Sequence, residues 1–258
     1  MKKFNRKHKD FLYAAYRWIN PLINPLMLIK VFPGYLNFLK TWSRYSKLKG
    51  AESIKLIDTY PCIAESTQTT PFDRQYFYQD IWAFKKILQT KTPEHTDIGS
   101  SVSFVGILSS ITKVTFIDIR PIEVNLNNFQ SKKGSVLAIP FKDDSIFSLS
   151  CLHVAEHIGL GRYGDPLDPL GTQKACRELA RVVAKGGNLY FSLPVGKPRV
   201  CFNAHRIHSP SQILEYFNGL KLIQLACVDD NGNFIGEVDP VSLGKSDYAC
   251  GLFHFTKN

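Results

Sequence analysis

What this chain of 258 residues lacks narrows its class before any motif is considered. It has no C-x-x-C pair: Cys62, Cys151, Cys176, Cys201, Cys227 and Cys250 stand singly. Disulfide frameworks belong to shorter, cysteine-dense chains, so buried, reduced thiols in a cytoplasmic protein are expected. It has no uninterrupted apolar run of the ~20 residues that a membrane-crossing helix needs. Leu22–Leu39 comes closest, and Pro25, Lys30, Pro33 and Gly34 break it. No small-residue cleavage site follows the basic start, which argues against a secretory signal. There is no internal repeat or low-complexity tract, and 44% hydrophobic against 21% charged residues argues against wholesale disorder.

Residues 51–258 also lack any charge imbalance. The whole net charge of +10 sits in residues 1–50, where eleven Lys or Arg face a single acid, Asp10. A nucleic-acid-binding body would carry its own basic face, so no nucleic-acid partner is expected. The basic segment also holds Trp18, Phe32, Tyr35, Phe38 and Trp42. It reads either as a segment lying on an anionic membrane surface, rings at the headgroup level, or as a pair of short packing helices with a solvated basic face. In the first reading the protein is cytoplasmic and peripheral to the inner face of a membrane. Residues 51–89 read as a connecting region and a lead-in helix. There Tyr76, Phe77, Asp80, Ile81, Phe84, Ile87 and Leu88 recur at helical spacing, which predicts a core-facing stripe.

From residue 90 onward strand and helix patterns alternate. Strands are expected at Glu94–Ile98, Lys113–Asp118, Phe147–Leu152, Asn188–Leu193 (ended by Pro194), Leu220–Val228 and Ala249–Phe255. Helices are expected at Val102–Ser110, at Thr172–Val183 with Gly186-Gly187 as its stop, and at Ser211–Phe217. Such alternation predicts a parallel sheet wrapped by helices.

Three ordered stretches carry a resemblance: HTDIGSS followed by KVTFIDIRP, then LAIPFKDDSIFSLSCLHVAEHI, then ELARVVAKGGNLYFSLPVG, with HRIHSPSQILEYF after them. Together, over about residues 94–217, they resemble class I S-adenosylmethionine-dependent methyltransferases. With its GLGRYGDPLDPLG insertion, the chain looks like a family of unknown function within that superfamily. The resemblance implies an α/β, Rossmann-like sheet with helices on both faces over residues 90–258, preceded by the basic, aromatic-rich helical segment. It implies S-adenosylmethionine as cofactor, held by Asp97, Gly99, Ser100, Ser101, Asp118, Ile119, Val136, Leu137, Cys151, Leu152 and His153. Gly99 would let backbone approach the methionine part, Asp118 would accept from two ribose hydroxyls, and Val136 and Leu137 would flank adenine. The sequence departs from the family pattern where Ser101 and Ser103 replace two glycines of D-x-G-x-G-x-G, and where Ser148 replaces the acid opening the fourth strand.

The loop Gly159–Gly171 lies at the ligand edge in this reading. His157, Arg162 and Asp165 are candidates for acid–base work, and Tyr163, Asp168, His205, Arg206 and His208 for acceptor recognition. The acceptor expected is a small molecule or a glycan- or lipid-linked group. Two other classes remain open: a catalytically inactive scaffold, favoured by the serines, and a zinc hydrolase using His153-Val154-Ala155-Glu156-His157. No metal is expected in the methyltransferase reading.

Overall fold

The computed structural model describes residues 16, 25–63 and 67–258. The chain divides into two compact units, residues 1–71 and 72–258. In the first, helix α1 (Pro25–Tyr45) runs unbroken through Pro33, followed by a 3-10 turn at Leu56–Asp58. This helix covers the second half of the basic segment, and the rest of the expected pair of short helices lies outside the described residues. Phe38 and Trp42 are half-buried, their rings 6.0 Å apart. Trp18 lies outside the described residues. Among the described residues, no helix is long and apolar enough to cross a membrane.

The second unit opens with α2 (Arg74–Thr90), capped by the Asp73 carboxylate, which accepts from the backbone N–H of Gln75 and Tyr76 at 2.9 and 3.1 Å. Its helical period is as expected, but its phase is not. The buried face is Gln79, Trp82, Ala83 and Ile87, while Tyr76, Phe77, Ile81 and Leu88 are exposed. Gln79, a polar residue, holds the centre of that face because its amide bonds the sheet below it.

There follow β1 (Glu94–Ile98), α3 (Val102–Leu108), β2 (Lys113–Asp118), β3 (Phe129–Lys133), β4 (Ile146–Leu152), α4 (Gly171–Val182), β5 (Val183–Val195), β6 (Arg199–Cys201), β7 (His205–Ile207), α5 (Pro210–Tyr216), β8 (Lys221–Val228), β9 (Phe234–Ile235), α6 (Pro240–Leu243) and β10 (Ala249–Thr256). Eight strands form one sheet in the order β3-β2-β1-β4-β5-β10-β8-β9, and β6-β7 make a separate hairpin. The first five are parallel, whereas β10 pairs antiparallel with both β5 and β8. The sheet is therefore mixed rather than wholly parallel. β5 also runs further than expected: α4 ends before Gly186-Gly187, and Pro194 continues the strand opposite Cys250. In the middle of the sheet, β4, β5 and β10 are buried almost throughout, as strands covered on both faces must be.

Apolar residues of α2 and α3 cover one face, where Trp82, Ile87, Phe104 and Leu108 meet Val114, Phe116 and Leu252. Those of α4 and α5 cover the other, where Cys176, Leu179, Ile213 and Phe217 meet Leu149, Phe191 and Phe253. Four of the cysteines are buried in these cores, but Cys62 is exposed and Cys201 half-buried. Glu178 and Arg181 of α4 pin the turn after β3: Glu178 accepts from the Ile139 N–H at 2.8 Å, and Arg181 donates to the Ile139 and Phe141 carbonyls at 3.1 and 3.0 Å. The chain passes from β1 outward to β2 and β3, and returns to β4 on the other side of β1. The sheet's topological switch point therefore lies between β1 and β4, and open α/β sheets bind ligands beyond the carboxyl ends of the strands there.

Candidate functional site

Two adjoining cavities open at that point, one of about 550 Å³ and one of about 1010 Å³, each partly open to solvent. Gly99, His153, His157 and Tyr163 belong to both.

The smaller cavity has Ile98, Ile117, Ile119, Val136, Val154 and Ile158 as apolar walls and Asp118 as its acid. Asp118 Oδ1 accepts from the Arg120 N–H at 2.7 Å, and Oδ2 lies beside Gly99. Gly99 follows β1 at φ 66°, in the left-handed region, and a Cβ there would come within 3.3 Å of Asp118 Oδ2 and of both Val154 methyls. Glycine is thus set by conformation and by closeness to the cavity floor. Ser101 makes no such demand. Its φ is −62°, and its Oγ caps α3 by accepting from Phe104 N–H at 3.2 Å and donates to Asp80 at 3.0 Å. Ser100 Oγ accepts from Leu152 N–H at 3.1 Å, tying β1 to β4. The serines are engaged in the fold, and the cavity stays open. Tyr163 crosses the boundary between the cavities, with the Arg120 and Arg162 guanidinium groups 4.7 and 5.2 Å from its ring centre.

The larger cavity is polar. Asp73, Gln75 and Tyr76 come from the start of α2, His153 and Glu156 from the end of β4, Arg162 from the loop, His205 from β7 and Tyr248 from the approach to β10. His153 sits at φ 56°, a conformation rare for a residue with a side chain. Its Nδ1 is 2.5 Å from Gln79 Oε1, which can only accept, so Nδ1 carries the proton and Nε2 the lone pair. Burial pushes its pKa down to about 3, helped by His157 and His205, so the ring is neutral. The same logic applies to His157: Nδ1 donates to Ala204 O at 2.6 Å, and burial lowers the pKa to about 4. Glu156 is fully buried, and burial pushes its carboxyl up to about 8. Burial and the charge of Glu156 raise Tyr76 to about 12, and Tyr248 rises equally for the same reasons.

Of the residues named from the sequence, Gly99, Ser100, Ser101, Asp118, Ile119, Val136, Leu152, His153, His157, Arg162, Tyr163 and His205 line these cavities. The others do not. Asp97 is wholly buried, bonded to Ser150 Oγ and to Ser100 N–H at 3.0 Å. Ser150 Oγ also meets His95 Nε2 at 2.8 Å, and Ser148, at the expected acid's place, meets His95 Nδ1 at 2.7 Å. Cys151 lies in the core and Leu137 on an exposed turn. Asp165 folds its own loop, accepting from the Gly159 and Tyr163 N–H groups at 2.6 and 3.2 Å. Asp168 bonds Lys174 at 2.7 Å. Arg206 donates to the Ile158 and Asp168 carbonyls, and His208 packs on the Tyr216 ring at 5.7 Å. Residues 155–157 form one 3-10 turn rather than the helix that H-x-x-E-H requires. Among the described residues, no three His, Cys, Asp or Glu side chains gather as metal ligands. Asp73, Gln75, Tyr76 and Tyr248 were not named as site residues from the sequence, and Glu156 was named only within His153-Val154-Ala155-Glu156-His157.

The family model described as "Caenorhabditis protein of unknown function, DUF268" matches residues 98–235, more than half of the chain. The chain belongs to the DUF268 family. The match begins at the end of β1 and takes in both edges of the switch point, but it leaves out α2 and Tyr248, which contribute to the larger cavity. Curated protein sequences include no match to this DUF268 chain. Solved structures do resemble it. The N-methyltransferase NodS from Bradyrhizobium japonicum WM9, in complex with S-adenosyl-L-homocysteine, is 12% identical, with 84% of this chain and 97% of that one covered at a TM-score of 0.51. A provisionally named sarcosine dimethylglycine methyltransferase from Galdieria sulphuraria is 15% identical, with 70% and 86% covered at 0.51. The [4+2]-cyclase SpnF is 13% identical, with 69% and 81% covered at 0.51. At these identities the likeness shows the fold alone: the DUF268 chain has the class I methyltransferase fold. A cyclase among the neighbours is a reminder that the fold does not name the reaction.

Proposed function

We propose that this protein is an S-adenosylmethionine-dependent methyltransferase acting on a small-molecule or glycan- or lipid-linked acceptor. The observation that supports this reading is the junction of two unlike cavities at the switch point. One has a mainly apolar wall with a single carboxylate, and the other is polar. The smaller suits a nucleoside: Asp118 Oδ2 would accept from the ribose hydroxyls, Ile98, Ile117 and Val136 would flank the base, and Gly99 gives close backbone approach. Bound there, S-adenosylmethionine would supply an electrophilic methyl group. The protein's own part is to position the acceptor, exclude water beneath Tyr163 and accept a proton. The test is calorimetric titration with S-adenosylmethionine and S-adenosylhomocysteine. Micromolar binding that Asp118→Ala abolishes supports the reading, and no binding to folded protein overturns it.

A second surface supports a cytoplasmic protein peripheral to an anionic membrane. Ile29, Phe32, Leu36 and Leu39 recur at helical spacing along α1 and are all exposed, Ile29 and Phe32 by 73% and 71%. At 100° per residue Lys40 and Arg44 flank this stripe, while half-buried Phe38 and Trp42 lie on another face. An apolar stripe edged by cations, in a segment carrying the protein's entire net charge of +10, complements anionic lipid.

A further inference from the structure

We infer that the larger cavity binds a cationic amine through Glu156 and that this amine is the acceptor atom; the second half of the inference rests on the methyltransferase reading above. Both Glu156 carboxylate oxygens are buried and receive no hydrogen bond from another residue, and His153 Nε2 is buried in the same condition. The nearest basic atom, His157 Nε2, lies 3.7 Å from Glu156 Oε1, and because Nδ1 holds that ring's proton it offers a lone pair and no hydrogen. Buried polar atoms without partners are costly, and folds keep them where a ligand completes them. Both residues line the cavity.

The unmet atoms, those of ionised Glu156 and His153 Nε2, are acceptors, and so is the neighbouring His157 Nε2. An ammonium group brings donors and a compensating charge, and no lone pair of its own. A hydroxyl brings one donor and leaves the carboxylate charge unbalanced. The Tyr76 and Tyr248 rings add faces that attract a cation. The cavity's one guanidinium does not fill the role, because Arg162 is drawn to the Tyr163 ring at 5.2 Å and to Ala204 O at 3.1 Å. Asp73 also lines the cavity, so a second acid favours a cation entering.

Binding also prepares the chemistry. An ammonium has no lone pair for attack. Glu156 takes one N–H proton, becoming a neutral carboxylic acid, and the electron pair of that N–H bond stays on nitrogen as the nucleophile. The proton affinity of Glu156, raised by burial to near that of solution at neutral pH, suits such a transfer.

The test uses matched probes on the full chain: ethanolamine against ethylene glycol, and 2-amino-1,3-propanediol against glycerol. Binding is measured by calorimetry at pH 7 in two buffers of different ionisation enthalpy, which counts protons released. The amines should bind and the alcohols should not. Close to one proton should leave per amine bound, because free Glu156 holds its proton about 90% of the time at pH 7 and must give it up to pair with an ammonium. Glu156→Gln, nearly isosteric, should weaken amine binding at least tenfold and abolish proton release. It should leave the far-UV spectrum and S-adenosylhomocysteine affinity within twofold of the parent. Equal binding of amines and alcohols, an unweakened Gln variant, or no amine binding at 50 mM overturns the inference. Amine binding that persists in a protein unable to bind S-adenosylhomocysteine overturns the methyltransferase reading and leaves the amine site standing.

Discussion

Replacing Glu156 with glutamine makes a prediction about stability that needs no substrate. In the fold, burial pushes this carboxyl up to about 8 from the ordinary 4.5. A raised carboxyl means that the folded state holds a proton that the unfolded chain has already lost between those two values. Stability therefore falls as pH rises from about 4.5 to about 8 and is level beyond. At about 1.4 kcal/mol per decade of proton affinity, the full loss is about 5 kcal/mol. Glutamine cannot ionise, so the variant escapes it. Asp97, raised to about 6 chiefly by burial, adds a loss of the same sign at lower pH. His95 and His153, both lowered to about 3 by burial, act oppositely, so their share of stability rises with pH up to about 6.5. These three are common to both proteins and cancel in the difference. Urea unfolding at pH 5, 6, 7, 8 and 9 should show the variant gaining on the parent by about 1.4 kcal/mol per pH unit up to pH 8, then levelling. A constant offset from the new amide shifts the curve without changing its slope. A difference flat from pH 5 to 9 would refute the reasoning, because it would mean that Glu156 titrates as an exposed carboxyl.

The other predictions are simpler. If the proposed cofactor site holds, Asp118→Ala would remove the acceptor for two ribose hydroxyls, at about 1.5–3 kcal/mol for a hydrogen bond to a charged group, so S-adenosylhomocysteine affinity should fall tenfold or more in calorimetry. Gly99→Ala places a Cβ 3.3 Å from Asp118 Oδ2 at φ 66°; it should cost about 1–2 kcal/mol in thermal unfolding and weaken cofactor binding further. Phe32→Asp should abolish co-sedimentation with anionic vesicles while leaving S-adenosylhomocysteine binding unchanged; equal sedimentation would refute the membrane role of α1. Arg206→Met removes the donors to the Ile158 and Asp168 carbonyls, so limited proteolysis should cut the 159–171 loop faster than in the parent.

How much of this was legible in the sequence depended on whether the signal was local. β1 was bounded correctly because Gly99-Ser100-Ser101 follows Ile98, and β2 because its apolar, β-branched run ends at Asp118. β3 was missed because its residues, FQSKK, are polar and lie at the sheet edge, where only Phe129 and Ser131 are even half-buried. The reversed direction of β10 is set by its neighbours, and no pattern within the strand announces it. The phase of α2 was misread because hydrophobicity placed Gln79 outside, whereas hydrogen bonding to Ser192 and His153 draws it in. Within the site, Gly99 and Asp118 followed from a contiguous motif. Asp73, Tyr76 and Tyr248 could not, since they meet only once residues over 170 positions apart share a wall. Asp165, Asp168 and Arg206 fell at the right edge, but the loop's own amides and carbonyls use up their polar groups.

The separate origin of the two cavity walls has a consequence for how this protein can diverge. The smaller cavity, the proposed nucleoside side, is made largely by strand ends that the sheet itself fixes, whereas part of the larger, the proposed acceptor side, is supplied by the first turn of a helix preceding the sheet. Gln79 and the Asp73 cap hold that helix in place from a few positions away from Tyr76 and Gln75. Exchanging residues 75 and 76 would therefore remodel the acceptor wall without moving Gly99 or Asp118. On the proposed function, recognition could drift while the donor half stays constant, so relatives with the same strand motifs need not share an acceptor.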